Sequence, residues 1–356
     1  MLFCVTIAVL YLIYACNTSF TCTEICSLQI YCIFRPNSIL SELCIAFENG
    51  KVSGDICNRL CYNKTWEVLD FYKRNKIVIT LKVGGQNVIL KSQYPFIRQY
   101  EEVSFRVRED VFTDAVLDIV NEILCLGWPK HYKRHLIEKL WPTYVRKSHN
   151  PLTEADRRSL WALMAQEEFI VFRLLPLSRV TPRVIGTCGH FYQVEHLVPF
   201  RMKGYYTKLK AKILVHLMGT LKLFDEFLNE PLQWCDVKFD NLGLAAEYPK
   251  RFMVMDGDML YTSSRLNKIL SKRTCSNDED CSFFDCTSSC NNSTGYCNVR
   301  ENSNLEVFCN KLILQLFGSR EIKSNRYLAA CYDKTSPVEE RLNSVRLAWA
   351  WNLADV

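Results

Sequence analysis

The chain has 356 residues, a mass of 41.5 kDa and a formal net charge of +6, with 49% hydrophobic and 23% charged residues. Such a length exceeds one ordinary core and predicts two lobes, and such a composition excludes a disordered chain. The basic residues are dispersed, with no Lys/Arg-rich run interleaved with aromatics, so no nucleic-acid partner is expected.

The chain opens on an uncharged apolar run, Leu2 to Cys16. It is shorter than the roughly 20 residues of a membrane span, which suits a signal-peptide core. No positive n-region precedes it, however, and Tyr14-Ala15-Cys16 is only a fair cleavage site. Residues 1–16 are therefore a signal peptide or a signal anchor, which holds the protein to a membrane if uncleaved. A start trimmed relative to a longer anchor would look the same.

Residues 17–75 read as a cysteine-rich module. The chain carries eighteen cysteines, most of them in two clusters, Cys22, Cys26, Cys32, Cys44, Cys57 and Cys61 and then Cys275, Cys281, Cys286, Cys290, Cys297 and Cys309. Neither cluster has the paired C-x2-C or the Cys/His knuckle of a zinc site, so disulfides in an oxidising compartment are expected. Sequons at Asn17, Asn63, Asn291 and Asn292 agree with a secretory route and are the candidate glycosylation sites. Asn49-Gly50-Lys51-Val52-Ser53-Gly54 has the glycines of a phosphate-cradling loop, but it lies directly before Cys57 and reads as a turn.

Residues 76–200 read as a small lobe, with a helical insertion over about 92–152. Ile77 to Val83 is β-branched and alternating, Gly84-Gly85 makes a hairpin turn, and Asn87 to Lys91 returns. Val88-Ile89-Leu90-Lys91 is similar to V-A-I-K, the strand whose lysine pairs nucleotide phosphates; a snorkelling strand-end lysine is the alternative. In the insertion, Glu109 to Leu126 is amphipathic and Leu136 to Trp141 starts another apolar face. An EF-hand loop is absent, and Ser148-His149-Asn150-Pro151 lacks the carboxylates calcium needs, so Ca²⁺ is not expected.

Thr153, with Asp156 three residues on, caps a helix whose apolar face runs to Phe172. Glu167 on this helix is the candidate acidic partner of the strand lysine, with Glu168 competing. Two short strands follow, Arg183 to Cys188 and Phe191 to Leu197. Glu195-His196-Leu197 would form a hinge whose backbone meets adenine, which makes Glu195 and Leu197 ATP-binding candidates.

Residues 201–356 read as a large lobe. Tyr205 to Phe227 is a long helix that leads to LQWCDVKFDN at 232–241. Asp236, Lys238 and Asn241 match the tail of H-R-D-L-K-x-x-N in register, and Asp256 in VMDGD stands where a D-F-G Asp would. Phosphoryl transfer requires these types: a carboxylate to accept a hydroxyl proton, a cation for the γ-phosphate, and an Asn with a second carboxylate for Mg²⁺. Asp236 and Lys238 are thus the catalytic candidates, and Asn241 and Asp256 the metal ligands. A solvated charged loop is the bland alternative. The cysteine-rich insertion spans 275–309; its Asp278-Glu279-Asp280 and Asp285 read as a solvated acidic turn between disulfides. Leu305 to Phe317 and Pro337 to Trp351 read as closing helices.

CDVKFDN, MDGDM, CSNDEDCSFFDC with NSNLEVFC, and TCGHFYQVE at 187–195 together resemble the divergent protein kinase domain 1 family, cysteine-rich kinase-like proteins of the endoplasmic reticulum membrane. The resemblance covers nearly the whole chain. It implies an α+β, bilobal protein-kinase-like fold, a type II anchor and a catalytic domain on the lumenal side. It also implies Lys91, Glu167, Asp236, Lys238, Asn241 and Asp256 as ATP, metal and catalytic residues, with ATP and Mg²⁺, or Mn²⁺ in its place, as cofactors. The family is described as carrying an EF-hand-like insertion in the small lobe, whose calcium ligands are missing here, and the basic stub expected before its anchor is absent.

Trp234-Cys235 replaces the His-Arg of the ordinary loop, which removes the arginine that receives a phosphorylated activation segment. Asp258 replaces the glycine of D-F-G, and no standard glycine-rich loop is recognisable. The expected activity is ATP·Mg²⁺-dependent phosphoryl transfer to a hydroxyl of a lumenal protein or glycan, at the endoplasmic reticulum membrane, or in the Golgi or secreted if residues 1–16 are cleaved. The alternatives are a catalytically inactive scaffold binding a lumenal partner and a nucleotidyl transferase on the same fold.

Overall fold

The computed structural model describes residues 36–62, 65–102, 107–142, 151–175, 180–200, 209–227, 230–245 and 251–352. The apolar run at 2–16, Cys22, Cys26, Cys32, the sequons Asn17 and Asn63, and Ser148-His149-Asn150 lie outside the described residues. Among the described residues, no helix is long and apolar enough to cross a membrane.

In chain order the elements begin with helices α1 (Pro36–Glu48) and α2 (Cys57–Cys61) and strands β1 (Trp66–Lys73), β2 (Ile77–Val83) and β3 (Gln86–Ser92). Helices α3 (Glu109–Leu124), α4 (Lys133–Leu140), α5 (Glu154–Met164) and α6 (Glu167–Leu174) follow. Then come β4 (Val184–Cys188), β5 (Phe191–Val194), β6 (Leu197–Pro199) and α7 (Lys210–Asp225). The remainder holds β7 (Leu232–Trp234), β8 (Leu242–Ala245), β9 (Phe252–Val254), β10 (Leu260–Thr262), α8 (Ser263–Ser271), β11 (Cys290–Asn291) and β12 (Tyr296–Cys297). It ends with α9 (Asn304–Phe308), α10 (Leu314–Ser324) and α11 (Val338–Asn352).

Two compact units divide these elements: residues 1–106, 147–165 and 185–194 form one, and residues 107–146, 166–184 and 195–356 the other. The first is built on a five-stranded sheet of order β1-β2-β3-β5-β4. Alternation decides its core: Ile77, Ile79 and Leu81 on β2 and Val88 and Leu90 on β3 are buried, and Ile39, Leu40 and Leu43 of α1 belong to the same apolar cluster. The hairpin turn at Gly84-Gly85 is where the sequence puts it, with Val83 opposite Gln86. Strand β1 pairs along β2 from Trp66 to Lys73, so the sheet starts well before residue 76 and shares its core with the cysteine-bearing helices.

Disulfides Cys44–Cys61 and Cys57–Cys188 tie α1 to α2 and α2 to β4. Cys57 and Cys61 lie one helical turn apart and engage different partners, which their C-x3-C spacing alone does not reveal. The Asn49–Gly54 stretch is a turn. A Cβ on Gly54 would lie 2.1 Å from the Thr187 carbonyl oxygen, so the glycine is required by close backbone approach. Ser53 donates its hydroxyl to Asp156 Oδ1 at 2.7 Å, and its N–H goes to Ser159 Oγ at 2.9 Å. Thr153 and Asp156 form the expected capping box.

The expected single helix from Thr153 to Phe172 is two. Gln166 is extended (φ −113°, ψ 99°) and breaks the run between α5 and α6, at the point where the chain leaves the first unit. Both pieces are rich in buried apolar residues, so periodicity carries no mark of the break. The insertion helices α3 and α4 group with the second unit, as does α6. There, β6-β8-β9 form a three-stranded sheet and β10 pairs with β7. The predicted closing helix at 305–317 is divided by a π-helical turn at Cys309–Ile313, and Gly318 (φ 77°) kinks α10. Cys309–Cys331 fastens this region.

His190 is buried in the first unit, with Nε2 3.1 Å from the Pro95 carbonyl oxygen and its ring against Tyr100 and Phe191. Burial pushes the imidazole down to about 4, partly offset by the Pro95 carbonyl. The folded state then resists a proton that the unfolded chain accepts near 6.5, so this stability is present above that value and lost as pH falls from there toward 4. Urea unfolding of the wild type should lose about 2 kcal/mol more between pH 7 and pH 5 than His190→Gln does. Equal losses in the two proteins would show that His190 does not set the acid limb.

Candidate active site

Strand β7 pairs with β10 through Trp234 and Leu260, then releases the chain into a loop that ends in a 3-10 turn at Phe239–Asn241. In that loop Val237 and Phe239 are buried, whereas Asp236, Lys238 and Asp240 are partly or fully exposed. The alternation anchors the loop by its apolar residues and presents its charges together. Asp236 Oδ2 accepts from Lys238 Nζ at 2.8 Å and from Asn241 Nδ2 at 2.8 Å. Asn241 Nδ2 also donates to the Asp236 carbonyl at 3.1 Å. With Nδ2 turned to Asp236, Asn241 Oδ1 is the atom left to face a cation.

Antiparallel pairing of β8 with β9 sets Leu242 opposite Val254, and the Met255 N–H donates to the Asn241 carbonyl at 2.8 Å. Asp256 is therefore held in register with Asn241. The Lys238 ammonium is pushed up from its ordinary value, most by its hydrogen bond to Asp236, and the charges of Asp236, Asp256 and Asp240 add to the shift. The loop residues Asp236, Lys238 and Asn241 and the downstream Asp256 thus fall within one local field.

The acidic residue that reaches this place from α6 is Glu168, not Glu167. Glu168 is 3% exposed, and its Oε2 accepts the Gly257 N–H at 3.2 Å. Carboxylate oxygens of Glu168, Asp256 and Asp258 lie within 4.8 Å of one another. Glu167 is exposed and pairs with Arg265 Nη2 at 3.2 Å. The two are adjacent on a helix and point about 100° apart, so only one can face inward. Glu168 shares its face with Phe172 four residues on, which is the one hint the sequence offered.

A second set of contacts holds α6 in place. Arg265 Nη1 donates to the Glu122 carbonyl at 3.1 Å, and Thr262 Oγ1 donates to the Leu124 carbonyl at 2.6 Å in a buried position. The end of α3, the start of α6 and the segment after Asp258 are thereby linked through α8.

Lys91 lies on β3 opposite Tyr192 and Val78, is 6% exposed, and belongs to the first unit. The chain passes from the first unit to the second between Val194 and Glu195. The Glu195 N–H donates to the Arg183 carbonyl at 2.9 Å, and its carboxylate pairs with Arg183. Leu197 pairs with Ala245 across β6 and β8 and packs with Met253 and Met255, beside Asp256.

In the cysteine-rich insertion, Cys275–Cys290, Cys281–Cys297 and Cys235–Cys286 are bonded, so the close sulfurs there are disulfide sulfurs and not zinc ligands. Asp280 accepts the Ser276 and Asn277 N–H groups, and Asp278 accepts that of Cys290, as a turn capping itself. Asp285 departs from the expected solvated turn. Its side chain is largely buried and accepts the Val237 N–H at 2.7 Å. Of the sequons, Asn291 accepts the Ser293 and Thr294 N–H groups, and Asn292 is exposed beside it.

Gly257 admits Glu168 and Phe172. A Cβ there would lie 2.6 Å from Phe172 Cε1 and 3.4 Å from Glu168 Cγ. Gly257→Ala should cost about 1–3 kcal/mol by forcing a buried ring off its place. Denaturant unfolding measures this, and a change within error of zero would mean that α6 yields without cost.

A family model described as the protein-kinase domain of FAM69 matches residues 160–345, more than half of the chain. A solved structure of vaccinia related kinase 3 is similar over 81% of this chain and 88% of that one, at 10% identity and a TM-score of 0.37. The matched residues include α6, the 236–241 loop, Asp256 and the cysteine-rich insertion, and the chain belongs to this FAM69 family of protein-kinase domains.

Proposed function

We propose that the protein transfers the γ-phosphoryl group of ATP to a hydroxyl of a lumenal protein or glycan in the secretory pathway. The double acceptance at Asp236 Oδ2 carries this reading. A carboxylate fixed by an ammonium and a carboxamide is oriented for one task, and the ammonium beside it matches a phosphate oxygen. Asp236 takes the proton of the acceptor hydroxyl while its oxygen bonds to the γ-phosphorus, the bond from that phosphorus to the β–γ bridging oxygen breaks, and ADP departs. Lys238 meets the charge on the transferring group.

The donor set is oxygen-only: the Asp256 carboxylate, the Asn241 carboxamide oxygen and the added Asp258 carboxylate. Hard, oxygen-seeking Mg²⁺ suits it, with Mn²⁺ as substitute. Bound there with the nucleotide, the ion would neutralise phosphate charge. Lys91 enters through its strand motif. The oxidising compartment is supported by the six disulfides among the described residues. The finer placement in the divergent protein kinase domain 1 family, at the endoplasmic reticulum membrane with residues 2–16 as anchor, rests on the motifs quoted above.

ATP with Mg²⁺ at 100 times its dissociation constant should stabilise the purified full chain by about 2.7 kcal/mol, read as a rise in Tm. Asp256→Asn and Lys91→Ala should abolish the rise. Asp236→Asn should keep it and lose turnover. Mass analysis of the modified acceptor should show a gain of phosphate rather than of AMP. No Tm rise in the wild type would hand the protein to the inactive-scaffold reading.

A further inference from the structure

Asp285 and Cys286 lie in the cysteine-rich insertion, far along the chain from the 236–241 loop, and grip it on both sides of Asp236. The Asp285 N–H donates to the Cys235 carbonyl at 2.8 Å. The Asp285 carboxylate accepts the Val237 N–H through Oδ2 at 2.7 Å. The next residue closes the Cys235–Cys286 disulfide. The neighbours of Asp236 on either side are thus fixed by one dipeptide, through two hydrogen bonds and a covalent bond.

The grip is itself braced. Lys311 Nζ pairs with Asp285 Oδ1 at 2.7 Å, so each carboxylate oxygen has its own donor. Asn302 Nδ2 donates to the Asp285 carbonyl at 2.7 Å, and Asn302 Oδ1 accepts the Thr287 N–H at 3.0 Å. Cys235 and Cys286 are fully buried in a cluster with Leu266 and Leu270 of α8. Cys235 stands where the ordinary loop has the arginine that receives a phosphorylated segment.

We propose that Asp285 is a positioning residue for Asp236, and that with the Cys235–Cys286 disulfide it docks the cysteine-rich segment permanently onto the catalytic loop, in place of docking through a phosphate and an arginine. The loop is then set when the protein folds and oxidises, with no phosphorylation step. The kinetic consequence rests on the phosphoryl-transfer reading; the structural one does not.

Two variants separate the grip from a general structural role. Asn at 285 keeps an oxygen for the Val237 N–H, whereas Ala removes it. In the full chain, amide hydrogen exchange at Val237 should quicken at least about tenfold in Asp285→Ala and stay within about threefold of wild type in Asp285→Asn. With ATP and Mg²⁺, kcat should fall at least about tenfold in Asp285→Ala with KM for ATP within about twofold, and Asp285→Asn should recover most of the rate. Unchanged Val237 exchange in Asp285→Ala, or an Asn variant as impaired as the Ala variant, overturns the proposal. If the wild type transfers no phosphate, the functional reading falls by itself, and the exchange comparison still decides whether Asp285 holds the loop.

Discussion

Oδ2 of Asp236 accepts two hydrogen bonds of 2.8 Å, one from an ammonium and one from a carboxamide, and that double acceptance sets the geometry around it. Charge-assisted hydrogen bonds of this length are about twice as strong as neutral ones, so the carboxylate has little freedom to turn. Both bonds fall on Oδ2, and neither uses the other oxygen. The same carboxylate orients the Asn241 amide, whose Nδ2 also reaches the Asp236 carbonyl. One acceptor atom therefore orients the proposed base and a proposed cation ligand together.

The second constraint is repulsion among like charges. Carboxylates of Glu168, Asp256 and Asp258 converge within 4.8 Å, and like charges this close repel unless donors or cations meet them. Part of that need is met by the backbone: the Gly257 N–H turns to Glu168 and the Asp258 N–H to Asp256 Oδ1. The helix carrying Glu168 is held against this charge density by packing, since Phe172 lies over Gly257 and Arg265 joins the start of α6 to the end of α3. The α3 insertion therefore has a mechanical role in the second unit. It braces the helix that brings a third acid to the site.

What the sequence makes legible follows from the range of the interactions that decide it. The β2–β3 hairpin, the Thr153 cap and the register of Asp236, Lys238 and Asn241 are set within a few residues, and their positions agree with the structure. The choice between Glu167 and Glu168 turns on which side of α6 faces inward, and α6 is so apolar that its periodicity is nearly blank. The break at Gln166 is hidden by the same apolar excess. Asp285 was illegible for a different reason: its partner is 48 residues away, and its acidic neighbours do cap their own turn, as Asp280 shows. The cysteine clusters announced disulfides but not which cysteines join, and Cys57 with Cys188 spans 131 residues.

The cysteine-rich insertion also explains why a loop-built site can be rigid. Its regular structure is slight: β11 and β12 are two residues each, and the aliphatic side chains buried in its cluster come from α8. Disulfide sulfurs occupy the interior, where Cys235, Cys281 and Cys286 are fully buried. A segment with so little apolar surface of its own cannot recover the entropy of ordering by burial alone, and cross-links that restrict the unfolded chain supply the difference. Reduction would then remove the interior of the insertion and the covalent half of the grip on the 236–241 loop in one step. The geometry at Asp236 is in this way tied to the oxidised state of Cys235 and Cys286.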